Sequence, residues 1–265
     1  MTRVVSGAVM VILAVAVVWF APPLLFLLVA QLLVILGCRE YASLSQGAPR
    51  TVPVMLVAAA AVACSVALAR GGPGSPVLLL ALLTTLVVLG TVSLFTWDGG
   101  PQALASIAGA VFPTLYLGLP IGALIVIRDR QGAAGLFLLM LTVMISDTAQ
   151  YYTGRTFGRR PLAATISPKK TIEGAVGGFV FGPLAFAWIG MQWLPQPAMS
   201  LGVRVAIGVL LVAAGIAGDL FESMLKRSAG VKDSGALIPG HGGVLDRIDA
   251  LLFAAPVYFL ALTYL

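Results

Sequence analysis

Nine apolar stretches, each close to the length that crosses a bilayer, occupy most of this 265-residue chain. A bilayer core takes about 20 apolar residues per helix, and the helix satisfies its own backbone N–H and C=O groups. The stretches run Val4–Phe20, Pro22–Gly37, Val54–Ala69, Val77–Trp97, Ala103–Ile127, Ala133–Tyr152, Gly174–Trp193, Leu201–Glu222 and Ile248–Leu265. The predicted fold is all-α, a polytopic transmembrane helical bundle of about nine spans. Composition agrees: 60% of residues are hydrophobic and 10% charged, where a soluble domain carries about 25% charged residues. A soluble chain this apolar has too few polar groups to cover its surface. The first two stretches share almost no loop, which predicts a tight helical hairpin. A signal peptide is the competing reading of the first, but the apolar run is too long and lacks a polar cleavage region. Pro113 and Pro120 predict a kink or break in the fifth. Cys38 and Cys64 fall at or inside apolar stretches and read as small buried hydrophobes, without a disulfide or metal pattern.

Lys and Arg set the expected orientation. With nine spans, one side of the membrane holds Arg3, Arg39, Arg50, Arg155, Arg159, Arg160, Lys169, Lys170, Lys226, Arg227, Lys232 and Arg247. The other side holds only Arg70, Arg128, Arg130 and Arg204. The richer side, with the N-terminus and both large polar loops, is therefore expected in the cytoplasm. The net charge of +6 comes without an aromatic-interleaved basic tract, so nucleic acid is not expected as a partner. Anionic lipid and phosphate are the expected targets.

Polar residues are unevenly spread, and eight of the ten acidic residues lie from Asp129 onward. Residues 1–130 therefore read as a transmembrane region that is a lipid-facing scaffold, a dimer interface or part of a lipid cavity, and 131–265 as the transmembrane region that carries the polar chemistry, with two cytoplasmic loops. Three clusters carry the polar chemistry. In Ser146–Gly158, Asp147 sits near the end of an apolar helix. There a carboxylate costs about 2.5–3.5 kcal/mol and needs a partner or a water-filled cavity, unless it merely marks a helix end at the interface. In Ser167–Gly174, Lys169 and Lys170 precede a helix start with Thr171 as N-cap. This is either an anion site or an ordinary juxtamembrane basic loop.

The densest cluster is Gly218–Asp249. At helical spacing Asp219, Glu222, Ser223 and Lys226 share a face, as do Asp246 and Asp249. The bland reading is a pair of solvated helix ends. The functional one is convergence of these carboxylates on a hard cation, which takes oxygen ligands and bridges phosphate oxygens while Lys226, Arg227, Lys232 and Arg247 neutralise the rest. Gly240, Gly242 and Gly243 would let backbone pass close to a phosphate. His241, the single histidine of the chain, is either a solvated polar residue or a phosphate contact and proton donor.

Residues Ser223–Asp249 resemble the signature of the phosphatidate cytidylyltransferases, or CDP-diacylglycerol synthases. The resemblance rests on Ser223, Lys226, Arg227, Lys232, Asp233, Gly235, Pro239, His241, Gly242, Gly243, Asp246, Arg247 and Asp249. SPKKTIEG and the Asp147, Gly154-Arg155, Gly158 pattern are similar to the same family, so the motifs cover about the last 120 residues. One position departs: Gln150 stands where the family pattern leads to a small residue, which bears on local packing. The resemblance implies that CTP and phosphatidate give CDP-diacylglycerol and pyrophosphate, with Mg²⁺ as cofactor, and it implies a homodimer. It also implies a bacterial cytoplasmic membrane location among membrane lipids, and the Lys and Arg distribution turns the active site to the cytoplasm.

Residues and resemblance together define the expected site. Catalytic work falls to Asp219, Asp246, Lys226, Arg227, His241 and Arg247. Substrate contacts come from Ser167, Lys169, Lys170, Ser223, Lys232, Asp233, Gly242 and Gly243. The metal ligands are Asp219 and Asp246 first, then Asp249 and Asp147. A transporter with Asp147, Asp219 and Glu222 as intramembrane ion ligands accounts for the carboxylates but not for the clustered loop charge. An alcohol phosphatidyltransferase needs an Ala-Arg after Asp-Gly, and Asp98-Gly99 has none. A relative acting on another lipid phosphate, such as an isoprenoid-ether one, stays open.

Overall fold

The computed structural model describes residues 2–44, 52–194, 199–238, 240 and 242–264, with residues 2–5 as backbone only. Arg50, Pro239 and His241 lie outside the described residues. Among the described residues the regular structure is helical apart from one short hairpin. Its helices are α1 (Thr2–Phe20), α2 (Pro23–Leu44), α3 (Val54–Gly71), α4 (Pro76–Thr96), α5 (Ala103–Pro113), α6 (Leu119–Phe157), α7 (Ile172–Trp193), α8 (Leu201–Ser228) and α9 (Leu245–Tyr264). Between α6 and α7 the strands β1 (Pro161–Ala163) and β2 (Ser167–Thr171) pair antiparallel, an element that the hydropathy pattern does not announce.

Six helices among the described residues are long and apolar enough to cross a membrane. The sequence leads to about nine, and that count is not established. One of the six is the continuous stretch Ala103–Phe157, which contains two expected spans. Two features interrupt it. A π-helical turn at Thr114–Gly118 lies between the prolines that predicted a kink. Pro113 and Pro120 each lack an N–H for the helical ladder, so the turn widens to re-satisfy its carbonyls. Farther on, Gly132 adopts φ 71°, a left-handed conformation that breaks the helix there. α1 contributes the shorter apolar run Ser6–Phe20, and α9 opens on Asp246, Arg247 and Asp249. Neither is among the six. The outward faces suit lipid: α4 leaves Leu80 at 65%, Val87 at 64% and Phe95 at 83% exposure. Apolar exposure on that scale fits hydrocarbon and not water.

The chain forms two compact units. The first comprises Met1–Val126 and Ser228–Arg247. Only two residues join α1 to α2, the tight connection expected. Small residues let backbones approach: a Cβ on Gly118 would lie 2.6 Å from the Ala61 carbonyl oxygen of α3. Gln31 Nε2 donates to Ser65 Oγ at 3.2 Å, linking α2 to α3, while the buried thiol of Cys64 meets Thr85 Oγ1 of α4 at 3.6 Å. Both cysteines are buried and unbridged, as their apolar setting predicts.

The second unit comprises Ile127–Arg227 and Ile248–Leu265. Its core sets Ala175 of α7 against Val212 and Ile216 of α8, with Phe186 edge-on to Tyr258 of α9 at 5.6 Å. α8 and α9 cross where Gly218 faces the carbonyl of Asp249, and Phe221 packs on Phe253 beside the crossing. α6 and α7 approach along glycines. There Gln150 finds its space, because a Cβ on Gly178 would fall 2.7 Å from Gln150 Cγ. The long residue at position 150 is accommodated by the absence of a side chain opposite it.

Candidate functional site

In the second unit the helix crossings gather acidic side chains. Asp147 of α6, Asp219 of α8 and Asp249 of α9 lie close enough for Asp219 to interact electrostatically with both of the others, and for Asp147 and Asp249 to sense each other. The crossing at Gly218 explains why Asp219 and Asp249 are neighbours although 30 residues separate them in the chain. Gln150 Nε2 donates to Asp147 Oδ1 at 3.0 Å and to Ser146 Oγ at 3.2 Å, orienting the first carboxylate.

Cations enter the cluster from two directions. Lys170 of β2 forms an ion pair and hydrogen bond with Asp219. Lys226 pairs with Glu222 one helical turn away, and Glu222 is fully buried. Ser223 Oγ donates to Asp219 Oδ1 at 3.4 Å. The polar stripe Asp219, Glu222, Ser223 and Lys226 is thus wired by i,i+4 contacts, as its spacing predicts. The neighbouring hairpin has its own fastenings. Thr171 caps α7, its Oγ1 accepting from Gly174 N at 3.1 Å. Glu173 Oε2 accepts from the backbone N–H groups of Arg159 and Arg160 at 3.0 and 3.2 Å. Arg227 Nε donates to the Ile166 carbonyl at 3.4 Å, tying the end of α8 to the hairpin turn. Ser167 and Lys169 stand on β2 with Lys170, and the Lys169 side chain is exposed.

The remaining expected site residues belong to the first unit, in the loop 228–244 and the opening of α9. Lys232, Asp233 and Arg247 are exposed. The glycine loop closes on itself where Ile238 N donates to the Gly242 carbonyl at 2.9 Å. Asp246 is held firmly. Its Oδ2 accepts from Ser234 N at 2.9 Å, Ser234 Oγ at 2.9 Å and Gly243 N at 2.8 Å. Anchoring one oxygen of a carboxylate fixes where the other points. Glycine is required beside it, since a Cβ on Gly242 would lie 2.5 Å from Asp246 Oδ2. Gly243 likewise lets the backbone approach the Glu40 carboxylate, 2.3 Å from where its Cβ would stand.

One further carboxylate, which no motif in the sequence marks, holds this region. Glu40 of α2 is buried, its carboxylate accepts from Val244 N at 2.8 Å and Leu245 N at 2.9 Å, and it lies 3.0 Å from Ser234 Oγ, whose one proton it shares with Asp246. It reaches across more than 190 residues of sequence to the start of α9. The only local signal was a carboxylate next to an apolar run, which costs too much to be unpartnered.

The acidic oxygens are hard ligands of the kind a divalent cation takes, yet no group of three or more His, Cys, Asp or Glu side chains among the described residues is arranged to hold a metal by itself.

Fold and site together define an integral membrane protein with clustered carboxylates and an array of Lys and Arg in its C-terminal half. Comparison with known proteins supplies the family. The model of the cytidylyltransferase family matches residues 1–265. A phosphatidate cytidylyltransferase of Thermotoga maritima is 36% identical over 184 residues, 67% of either chain. One from Helicobacter pylori is 40% identical over 146 residues, 55% of this chain and 53% of that one. The uncharacterized protein YnbB of Escherichia coli is 46% identical over 135 residues, 51% of this chain and 44% of that protein. The matched stretches thus span about half the length of two of these relatives. This chain belongs to the cytidylyltransferase family.

Proposed function

We propose that this protein transfers the cytidylyl group of CTP to phosphatidate within the membrane, giving CDP-diacylglycerol and pyrophosphate. The observation that carries the reading is the anchored glycine loop and α9 opening, which bear the spaced residues of the cytidylyltransferase signature inside a chain whose whole length fits that family. A phosphate oxygen of the lipid attacks the α-phosphorus of CTP, the bond from that phosphorus to the bridging oxygen of the β-phosphate breaks, and pyrophosphate leaves. The lipid is the nucleophile, so the protein needs no covalent intermediate. Its tasks are to bring two polyanions together, align them and stabilise the developing charge.

Mg²⁺ is the cation that suits oxygen ligands of this kind, and when bound it would neutralise phosphate charge. Asp219 and Asp246 are the proposed ligands, with Asp249 and Asp147 as further ones. Lys226, Arg227, Lys232 and Arg247 are assigned to nucleotide phosphates and transition-state charge. His241 is assigned to the leaving pyrophosphate. Lys169 is assigned to a substrate phosphate, together with Ser167 and Lys170. Ser223, Asp233, Gly242 and Gly243 complete the substrate contacts. This places the chemistry in 131–265, on the cytoplasmic side of a cytoplasmic membrane with the N-terminus on that side too, a placement supported by the distribution of Lys and Arg. A homodimer rests on the resemblance alone.

The test is a transfer assay on purified protein, offering CTP, dCTP and ATP against phosphatidate, an isoprenoid-ether lipid phosphate and a soluble phosphomonoester. The proposal predicts a cytidine-specific product with phosphatidate. Turnover only with another lipid phosphate would keep the chemistry and change the substrate. No transfer to any lipid would refute the proposal.

A further inference from the structure

Glu40 has no part in the mechanism above, yet it is one of the most completely bonded carboxylates in the molecule. Val244 and Leu245 open α9, and their N–H groups belong to the turn that no intrahelical carbonyl can serve. Helices usually satisfy such donors with a side chain a few residues upstream. Here the acceptor comes from α2, one oxygen on each N–H, at 2.8 and 2.9 Å. The same carboxylate meets Ser234 Oγ at 3.0 Å, and that hydroxyl lies 2.9 Å from Asp246 Oδ2. Ser234 is buried at 3% exposure and Glu40 at 9%, so water does not substitute for these contacts. The fit is close: a Cβ on Gly243 would lie 2.3 Å from both Glu40 Oε2 and Ser234 Oγ. Ser43 Oγ, one turn along α2, donates to the Glu40 carbonyl at 2.6 Å and lies 3.4 Å from the Ser234 carbonyl.

From this geometry we infer that Glu40 is a positioning residue for cation binding: with Ser234 it fixes the start of α9 and the orientation of the Asp246 carboxylate. The inference rests on the reading of Asp246 as a metal ligand. Glutamine cannot replace glutamate here. Either orientation of its amide turns the NH₂ group against a backbone N–H of Val244 or Leu245. Loss of a residue that orients a metal ligand typically weakens metal affinity about 10–100-fold.

The test measures Mn²⁺ binding by electron paramagnetic resonance on detergent-purified protein without nucleotide or lipid, alongside the thermal midpoint. Glu40→Gln and Ser234→Ala are each expected to weaken Mn²⁺ binding by about tenfold or more. The double variant should fall short of the product of the two effects, because both act through one hydrogen-bonded chain. Asp98→Asn, which removes one negative charge from an exposed loop, should bind as wild type does. A purely structural role would lower the thermal midpoint and leave the affinity of the folded protein unchanged. If Glu40→Gln does not fold, Ser234→Ala decides alone. Mn²⁺ affinity within twofold of wild type in folded Glu40→Gln, or in Ser234→Ala, overturns the inference while leaving the transferase reading intact. If wild type binds no Mn²⁺ at millimolar concentration and turnover needs no metal, the metal assignment falls and the inference falls with it.

Discussion

Replacing Gly218 by alanine sets two effects of opposite sign against each other. Gly to Ala in a helix interior favours the helix by about 1 kcal/mol, because glycine loses more backbone entropy on ordering. At this position the new Cβ would stand 2.5 Å from the Asp249 carbonyl oxygen and 3.1 Å from Phe253 Cβ. A carbon–oxygen contact relaxes at about 3.3–3.6 Å, so α8 and α9 must separate by roughly 1 Å at their crossing. Overpacking against backbone costs about 1–3 kcal/mol, which exceeds the propensity gain. The crossing also sets the spacing of Asp219 from Asp249, and a displacement of about 1 Å at a reacting centre costs on the order of 10²-fold in rate. Gly218→Ala should therefore lower the thermal midpoint in detergent by a few degrees and depress kcat about 10²-fold. Activity normalised to folded protein, with the midpoint read by tryptophan fluorescence, checks both. A variant as stable and as active as wild type would refute the claim that this crossing positions the carboxylates.

Three further outcomes follow from the same geometry. Ala164→Cys and Ala236→Cys, both exposed, should resist a membrane-impermeant thiol reagent in sealed cells until the membrane is permeabilised, with little background from the buried Cys38 and Cys64. Labelling of both from outside would reverse the orientation. Arg247→Ala should mainly depress kcat, by about 10²-fold if it meets charge developing in the transition state, while Lys169→Ala should mainly raise KM for one substrate. Kinetics silent for both would remove them from the site. Asp219→Asn should abolish turnover and also free Lys170 from its ion pair, so restored activity in an Asp219→Asn, Lys170→Met double variant would show that Asp219 serves only to neutralise the lysine.

Local periodicity carried the legible part of this molecule. Apolar runs of bilayer length gave the helices, and i,i+4 spacing gave the Asp219–Ser223 and Glu222–Lys226 contacts, because a helix fixes those distances without help from the rest of the fold. Thr171 as a cap was readable for the same reason. The illegible part is long-range. Nothing near Glu40 in sequence points to Ser234 or Val244, and the pairing of Lys170 with Asp219 joins residues 49 apart. The room for Gln150 comes from Gly178 on another helix. The β1–β2 hairpin is only a few residues per strand, too short for alternation to stand out from an ordinary loop. Span counting failed to give a fixed number where two expected spans fuse into one stretch interrupted only by a π turn and Gly132.

The central claim is that the nucleotide gives up its α-phosphorus to a lipid phosphate. Incubating the purified protein with phosphatidate, Mg²⁺ and CTP labelled at either the α- or the γ-phosphorus tests it directly. The account predicts that α-label enters the chloroform-extractable lipid while γ-label stays in the aqueous phase as pyrophosphate. Lipid carrying γ-label, or no lipid label from either nucleotide, would contradict it.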